Sequence, residues 1–200
     1  MCASRLQVLH ISIHLDQSDR QQFPFLVGKA EERGIGPAQG CNINLPLPVN
    51  SGDEEAWALF EGCGLPRLVA FEPTLIFLSC GFDGIAGDPT EAETRLTPAW
   101  YGRVASACIT HAPVVATLQG GYLADAVAEA GQRVLAALAG EDAPELAPSS
   151  TQAYSTAVTE LVEEVEAKLQ DSDGWWSVEQ SFNHGLADSD DEATYENENE

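Results

Sequence analysis

Leu75-Ile76-Phe77-Leu78-Ser79-Cys80-Gly81-Phe82-Asp83-Gly84-Ile85-Ala86-Gly87-Asp88-Pro89 decides how this chain folds. Its apolar opening runs unbroken from Leu75 to Leu78 and closes on Ser79-Cys80 before a glycine. That pattern predicts a short strand covered on both faces rather than a helix. Asp83 follows at the carboxyl end, flanked by glycines that let the backbone turn closely. A carboxylate in that place fits three roles: metal ligand, general base, or turn and helix cap. Asp88 before Pro89 reads as structural, because Asp ahead of proline favours a turn.

Two further apolar runs, residues 8–13 and 114–118, read as buried strands of the same kind. Helical patterns lie between the runs. Ser51-Gly52-Asp53-Glu54 is a capping-box signature, and Pro66 should kink or divide the helix it opens. Thr97-Pro98 is an N-cap with proline at the first helical position, followed by a stripe of Tyr101, Val104, Ala105 and Cys108. Leu123, Val127, Ala130, Val134 and Leu138 form a second stripe that ends near Gly140. Strands alternating with helices predict a parallel α/β sheet with right-handed crossovers. Functional residues in such sheets lie beyond the carboxyl ends of the strands. The loops after Ile13, Cys80 and Leu118 are therefore the places to search. Residues 14–50, rich in Gly and Pro, read as one long loop, a length that usually carries function.

The loop after the third run is Gln119-Gly120-Gly121-Tyr122. Two glycines permit close approach of a ligand to the main chain. Tyr122 then opens the next helix, where it either packs or donates its hydroxyl to a developing oxyanion.

Taken together these pieces resemble the histone deacetylase family, closest to its class II branch, over residues 6–140. The resemblance rests on Val8-Leu9-His10-Ile11-Ser12-Ile13-His14, Phe23-Pro24, Asn42-Ile43-Asn44-Leu45-Pro46-Leu47-Pro48, the Gly-Phe-Asp…Gly-Asp-Pro stretch, Leu96-Thr97-Pro98 and Gly120-Gly121-Tyr122. It implies a three-layer α/β/α parallel-sheet fold of the arginase/deacetylase type. It implies zinc-dependent hydrolysis of N-acetyl-lysine amides on histones or other proteins. By motif match Asp83 becomes a zinc ligand and Tyr122 the catalytic oxyanion tyrosine. Phe23 becomes a wall of the acetyl-lysine channel and Gly120 its floor, with Gly121 also substrate-binding. Ser12 and the carbonyl of Ile13 fall at a structural monovalent-cation site, potassium for example.

The chain departs from that pattern in one decisive respect. The family draws its other two zinc ligands from an Asp-x-His motif one strand upstream of Val8, and moves protons with a His-His pair. Neither motif occurs here: two residues before His10, His14, His111 and His184 stand Val8, Ser12, Ile109 and Phe182. Zinc takes three or four protein ligands, so the resemblance covers a C-terminal part of a deacetylase that is expected to be inactive alone. The alternative is a truncated, non-catalytic interaction module. An apolar sheet left without its upstream cover should also self-associate or need a partner. Smaller departures are Gln119 for an acid, Leu123 for an asparagine, and Phe25-Leu26-Val27-Gly28 after Phe23-Pro24.

Charge bounds the partners. Residues 1–140 carry 15 acids and 8 bases, whereas residues 141–200 carry 17 acids and one base. The nine Lys and Arg are scattered singly, with no basic stripe for nucleic acid. The expected division is a deacetylase-like part over residues 1–140, a linker at 141–153, an amphipathic helix at 154–170, and an acidic disordered tail at 171–200. Trp175-Trp176 and Phe182 in the tail are candidates for docking on a protein partner or on the domain itself. Five scattered cysteines without a CxxC pair read as reduced thiols of an intracellular protein, nuclear or cytoplasmic. No apolar stretch approaches 18 residues and no secretory signal is evident.

Overall fold

The computed structural model describes residues 8–16, 28–35, 38–90, 93–141 and 156–170. Strand β1 is His10–Leu15 and β2 is Asn42–Leu47. Then come α1 (Asp53–Leu59), a π-helical turn (Phe60–Gly64) and α2 (Leu65–Phe71). Strand β3 (Ile76–Cys80) leads to a 3₁₀ turn at Phe82–Gly84. Helix α3 (Pro98–Ile109), β4 (Val114–Leu118), α4 (Ala124–Leu138) and α5 (Thr156–Gln170) complete the order.

Among the described residues all strand pairing is parallel, as the alternating pattern requires, but four strands form two separate pairs. β1 lies beside β2 with His10 opposite Asn42, and β3 beside β4 with Ile76 opposite Val114. β2 falls inside the stretch expected to be loop. Its Asn42, Asn44 and Pro46 look like strand breakers. Pro46 is tolerated because β2 is an edge strand among the described residues. The Asn44 amide donates to the Lys29 carbonyl at 3.0 Å, so its burial leaves that group satisfied.

Proline also explains the break between α1 and α2. Pro66 lacks an N–H and its ring crowds the carbonyl four residues back. The chain widens by one residue ahead of it, and the Leu65 N–H bonds the Phe60 carbonyl. The N-cap of α1 is Gly52 rather than Ser51: the Glu55 carboxylate accepts from the Gly52 N–H at 2.8 Å. Ser51 instead donates its hydroxyl to the Pro48 carbonyl at 2.7 Å. Asp53 reaches across to α3, where its carboxylate accepts from the Thr97 N–H (2.8 Å) and the Thr97 hydroxyl. Thr97 caps α3 itself, accepting from Ala99 N–H.

α3 packs on one face of β3–β4, and α4 packs against α3 and the turn at Phe82–Gly84. Tyr101, Val104, Ala105 and Cys108 are all buried, as their spacing predicts. Gly102 lets the helices approach: a Cβ there would stand 2.9 Å from the Arg133 Cβ. Trp57, Phe60 and Trp100 meet edge to face at 5.6–6.5 Å, with the Arg103 guanidinium over the Trp57 ring. α5 lies on α1, the π turn and β2, burying Val158, Val165 and Leu169.

The expectation that β3 and β4 are covered on both faces is corrected. Ile76, Leu78, Val114 and Ala116 face the helices, while Phe77 (71% exposed) and Val115 point to solvent. Nothing among the described residues covers that second face. An exposed aromatic on an open strand promotes association. Sedimentation velocity should therefore find self-association at micromolar concentration, and Phe77→Ser should reduce it. A monodisperse, cooperatively melting wild-type monomer would contradict this.

Cys41, Cys63, Cys80 and Cys108 are free thiols. Burial, with a smaller push from the Glu166 charge, raises the Cys63 thiol to about 12, and burial raises Cys108 to about 11. Thiolate is the reactive form. Iodoacetamide at mildly alkaline pH should leave both unmodified in the native protein and label both after denaturation.

Candidate functional site

The carboxyl ends of β3 and β4 build the candidate site. The ladder closes with the Gln119 N–H on the Cys80 carbonyl (2.9 Å), and Ser79 donates its hydroxyl to the Gln119 amide oxygen. The Phe82 N–H then bonds the Gly120 carbonyl at 3.3 Å, tying the two loops together. Between them sits Asp83, the middle residue of the 3₁₀ turn. Its carboxylate is cradled by glycines. A Cβ at Gly81 would come within 2.9 Å of Asp83 Oδ1, and one at Gly120 within 3.0 Å.

Gly120 and Gly121 have φ of +98° and +106°, a backbone region L side chains rarely adopt. A Cβ on Gly121 would lie 2.6 Å from Phe82 Cβ and 2.9 Å from Val127 Cγ2. Gly121→Ala thus combines a strained backbone with overpacking, and should destabilise by about 2–4 kcal/mol. A chemical-denaturation midpoint unchanged by the substitution would contradict that geometry.

The turn is supported from below. Tyr101 donates its hydroxyl to the Gly81 carbonyl at 2.8 Å and packs edge-on against Phe82 at 4.8 Å. Burial, reinforced by the negative charge of Asp83, pushes the Tyr101 phenol above its ordinary value, so it stays a donor. Thr94 donates to the Gly84 carbonyl at 2.7 Å. The sequence marked Tyr101 only as core; its helical stripe hides the hydroxyl's task.

Tyr122 does not open α4. It stands in the loop two residues before Ala124, with its side chain 65% exposed. Its N–H donates to Asp88 Oδ2 at 2.7 Å. Asp88 Oδ1 accepts from the Thr90 N–H (3.0 Å) and hydroxyl (2.6 Å), so the expected turn is present as well. Burial alone would raise the Asp88 pKa. The hydrogen bonds from the Thr90 hydroxyl and from the amides of Tyr122, Thr90 and Leu123 outweigh it and hold the carboxyl below its ordinary value.

The structure therefore brings Asp83, Gly120, Gly121 and Tyr122 to one rim. Ser12 and Ile13 lie on the other strand pair, opposite Asn44 and Leu45. Ser12 Oγ contacts His14 Nδ1 at 2.8 Å, and His14 Nε2 contacts the Gly28 carbonyl at 2.8 Å. A carbonyl can only accept, so Nε2 carries a proton. Phe23 lies outside the described residues, as do residues 171–200 with Trp175, Trp176 and Phe182.

Zinc does not fit the residues present. Among the described residues no group of three His, Cys, Asp or Glu stands together to hold a metal ion. Asp83 offers one carboxylate where zinc takes three or four protein ligands. No helix among them is long and apolar enough to cross a membrane.

Comparison with known proteins gives these features a family. The solved structure of the histone deacetylase Clr3 superposes with a TM-score of 0.74 at 28% identity, covering 86% of this chain and 28% of that one. The fold is thus the arginase/deacetylase type, part of a three-layer α/β/α domain. The chain is 31% identical to "Histone deacetylase HDA1" of Saccharomyces cerevisiae over 80% of its own length and 23% of that protein's. It is 30% identical to "Polyamine deacetylase HDAC10" of Homo sapiens over 86% of its length and 26% of the relative's. The chain thus spans less than a third of the length of each of these three proteins. The family model for the histone deacetylase domain matches residues 1–138, and the chain belongs to the histone deacetylase family.

Proposed function

We propose that this chain supplies the Asp83 and Tyr122 side of a lysine deacetylase site, and that the residues described here do not suffice for turnover. The observation that carries the reading is the Asp83 carboxylate held between Gly81 of its own turn and Gly120 of the neighbouring loop, which also bears Tyr122. The substrate class is an N-acetyl-lysine amide of a histone or another protein. Tyr122 donates a hydrogen bond from its phenol to the acetamide oxygen as water adds to the carbonyl and charge gathers there. Gly120 and Gly121 present no side chain, so a narrow acetyl-lysine stem approaches the main chain closely. Asp83 is one metal donor. The remaining donors and the proton-transfer base are an Asp-x-His motif and a His-His pair, neither present in this sequence.

The missing donors equally favour a second reading, a non-catalytic module that engages a protein through its acidic C-terminal residues. Co-expression with a polypeptide carrying an Asp-x-His motif and a His-His pair separates the two. The deacetylase reading predicts zinc-dependent release of acetate from an acetyl-lysine peptide, lost in Asp83→Asn. Stable co-assembly without turnover would leave the module. An acetylpolyamine assayed in parallel, cleaved in preference to the peptide, would overturn the substrate class.

A further inference from the structure

The Gly120-Gly121-Tyr122 segment poses a physical problem. Two successive residues at positive φ give a backbone with wide freedom, and glycines lose the most entropy on being fixed. A side chain that is 65% exposed supplies little packing to hold Tyr122 in place. Something must order the loop if the phenol is to meet a substrate oxygen with useful geometry.

The only described side chain that bonds the Tyr122 main chain in this structure is that of Asp88. Asp88 is 7% exposed and divides its two oxygens between two loops. Oδ1 is committed to Thr90, which fixes the carboxylate within its own turn. Oδ2 is thereby aimed across at the Tyr122 N–H. Ile85 carbonyl accepts from the Asp88 N–H at 3.1 Å, so the carboxylate is anchored to the same turn that carries Asp83. Gly87, at φ +88°, makes the bend that sets Asp88 there.

We infer that Asp88 is a positioning residue of the deacetylase site: it couples the Asp83 turn to the Tyr122 loop, so that the metal-side carboxylate and the phenol keep one fixed relation. The inference rests on the role proposed for Tyr122, but the bond itself is testable without turnover. Charge-assisted hydrogen bonds of this kind are the strong ones. Losing one partner opens the loop locally and leaves the helices alone.

Amide hydrogen exchange, read residue by residue by NMR on the full chain, tests it. In the wild type the Tyr122 amide should be protected despite its exposed side chain. Asp88→Ala should speed its exchange about tenfold or more, while amides of α3 and α4 keep their rates. Asp88→Asn, which retains one acceptor oxygen, should restore part of the protection. Thr90→Val removes only the hydroxyl on Oδ1 and should leave Tyr122 far less affected than Asp88→Ala does. An unprotected wild-type Tyr122 amide, or one that Asp88→Ala does not move, overturns the inference. So does a uniform rise over the whole domain in Asp88→Asn, which would make Asp88 a general stabiliser. A kinetically silent Tyr122→Phe would instead overturn the reading of Tyr122, and the two failures are separable.

Discussion

In an assembly that deacetylates an acetyl-lysine peptide, Tyr122→Phe is expected to lower kcat by about a hundredfold or more, with KM little changed. The substitution removes one hydroxyl and keeps the ring. Tyr122 is 65% exposed, and its structural tie runs through its main-chain N–H, not its side chain. Folding should therefore be unaffected within about 0.5 kcal/mol, so a drop in rate reports chemistry. A donor aimed at the oxygen that gains charge acts only as the transition state forms, so the loss falls on kcat. An unchanged kcat would show that the phenol is only a surface side chain at a helix entrance.

The second large effect concerns stability. Glu166→Ala should destabilise the chain by about 3 kcal/mol, lowering Tm by about 10 °C. Arg67 is 2% exposed, and its guanidinium meets Glu166 through two bonds, 2.9 Å and 3.1 Å. Arg67 also donates to the Cys63 carbonyl at 2.6 Å, at the π turn. Removing the carboxylate takes the Glu166 counter-charge from a buried guanidinium, which costs more than the pair itself contributes. The pair fixes α5, whose Val158, Val165 and Leu169 are buried against the domain. Close approach depends on Gly62, where a Cβ would lie 2.8 Å from Val162 Cγ1. Arg33 adds a bond from its guanidinium to the Leu169 carbonyl at 2.8 Å. Arg67→Met with Glu166→Leu should recover much of the loss, because an apolar pair of similar volume needs no counter-charge. A Tm unmoved by Glu166→Ala would mean α5 is not held as described.

What was legible in the sequence follows from how local each signal is. Thr97-Pro98 announces α3 because capping is decided within three residues. Residues 114–118 announce β4 because an apolar run bounded by a turn has few other solutions. β2 was hidden: its two asparagines and a proline argue against a strand, and only its pairing with β1 and the Asn44 bond to Lys29 make it one. The split of the strands into two pairs was hidden as well, since pairing is a tertiary fact that periodicity does not encode. Apolar content likewise cannot tell a covered face from an open one, so Phe77 reads as buried in the sequence and stands exposed in the fold.

The placing of the candidate site was legible in part. Asp83, Gly120, Gly121 and Tyr122 were marked by their place beyond strand ends, and they do share one rim. Asp88 and Tyr101 escaped because each also has a bland explanation, a turn before proline and a buried helical stripe. Their second bonds run to residues about 20 and 34 positions away, beyond the reach of any local pattern.

If this chain holds one side of a deacetylase site, it should not complete a zinc centre alone. Zinc titration of the 200-residue chain alone, followed calorimetrically beside Asp83→Asn, tests it most directly. No tight site is expected, and no difference between the two proteins at stoichiometric zinc. One tightly bound zinc per chain, lost in Asp83→Asn, would contradict it and place a complete metal centre within this sequence.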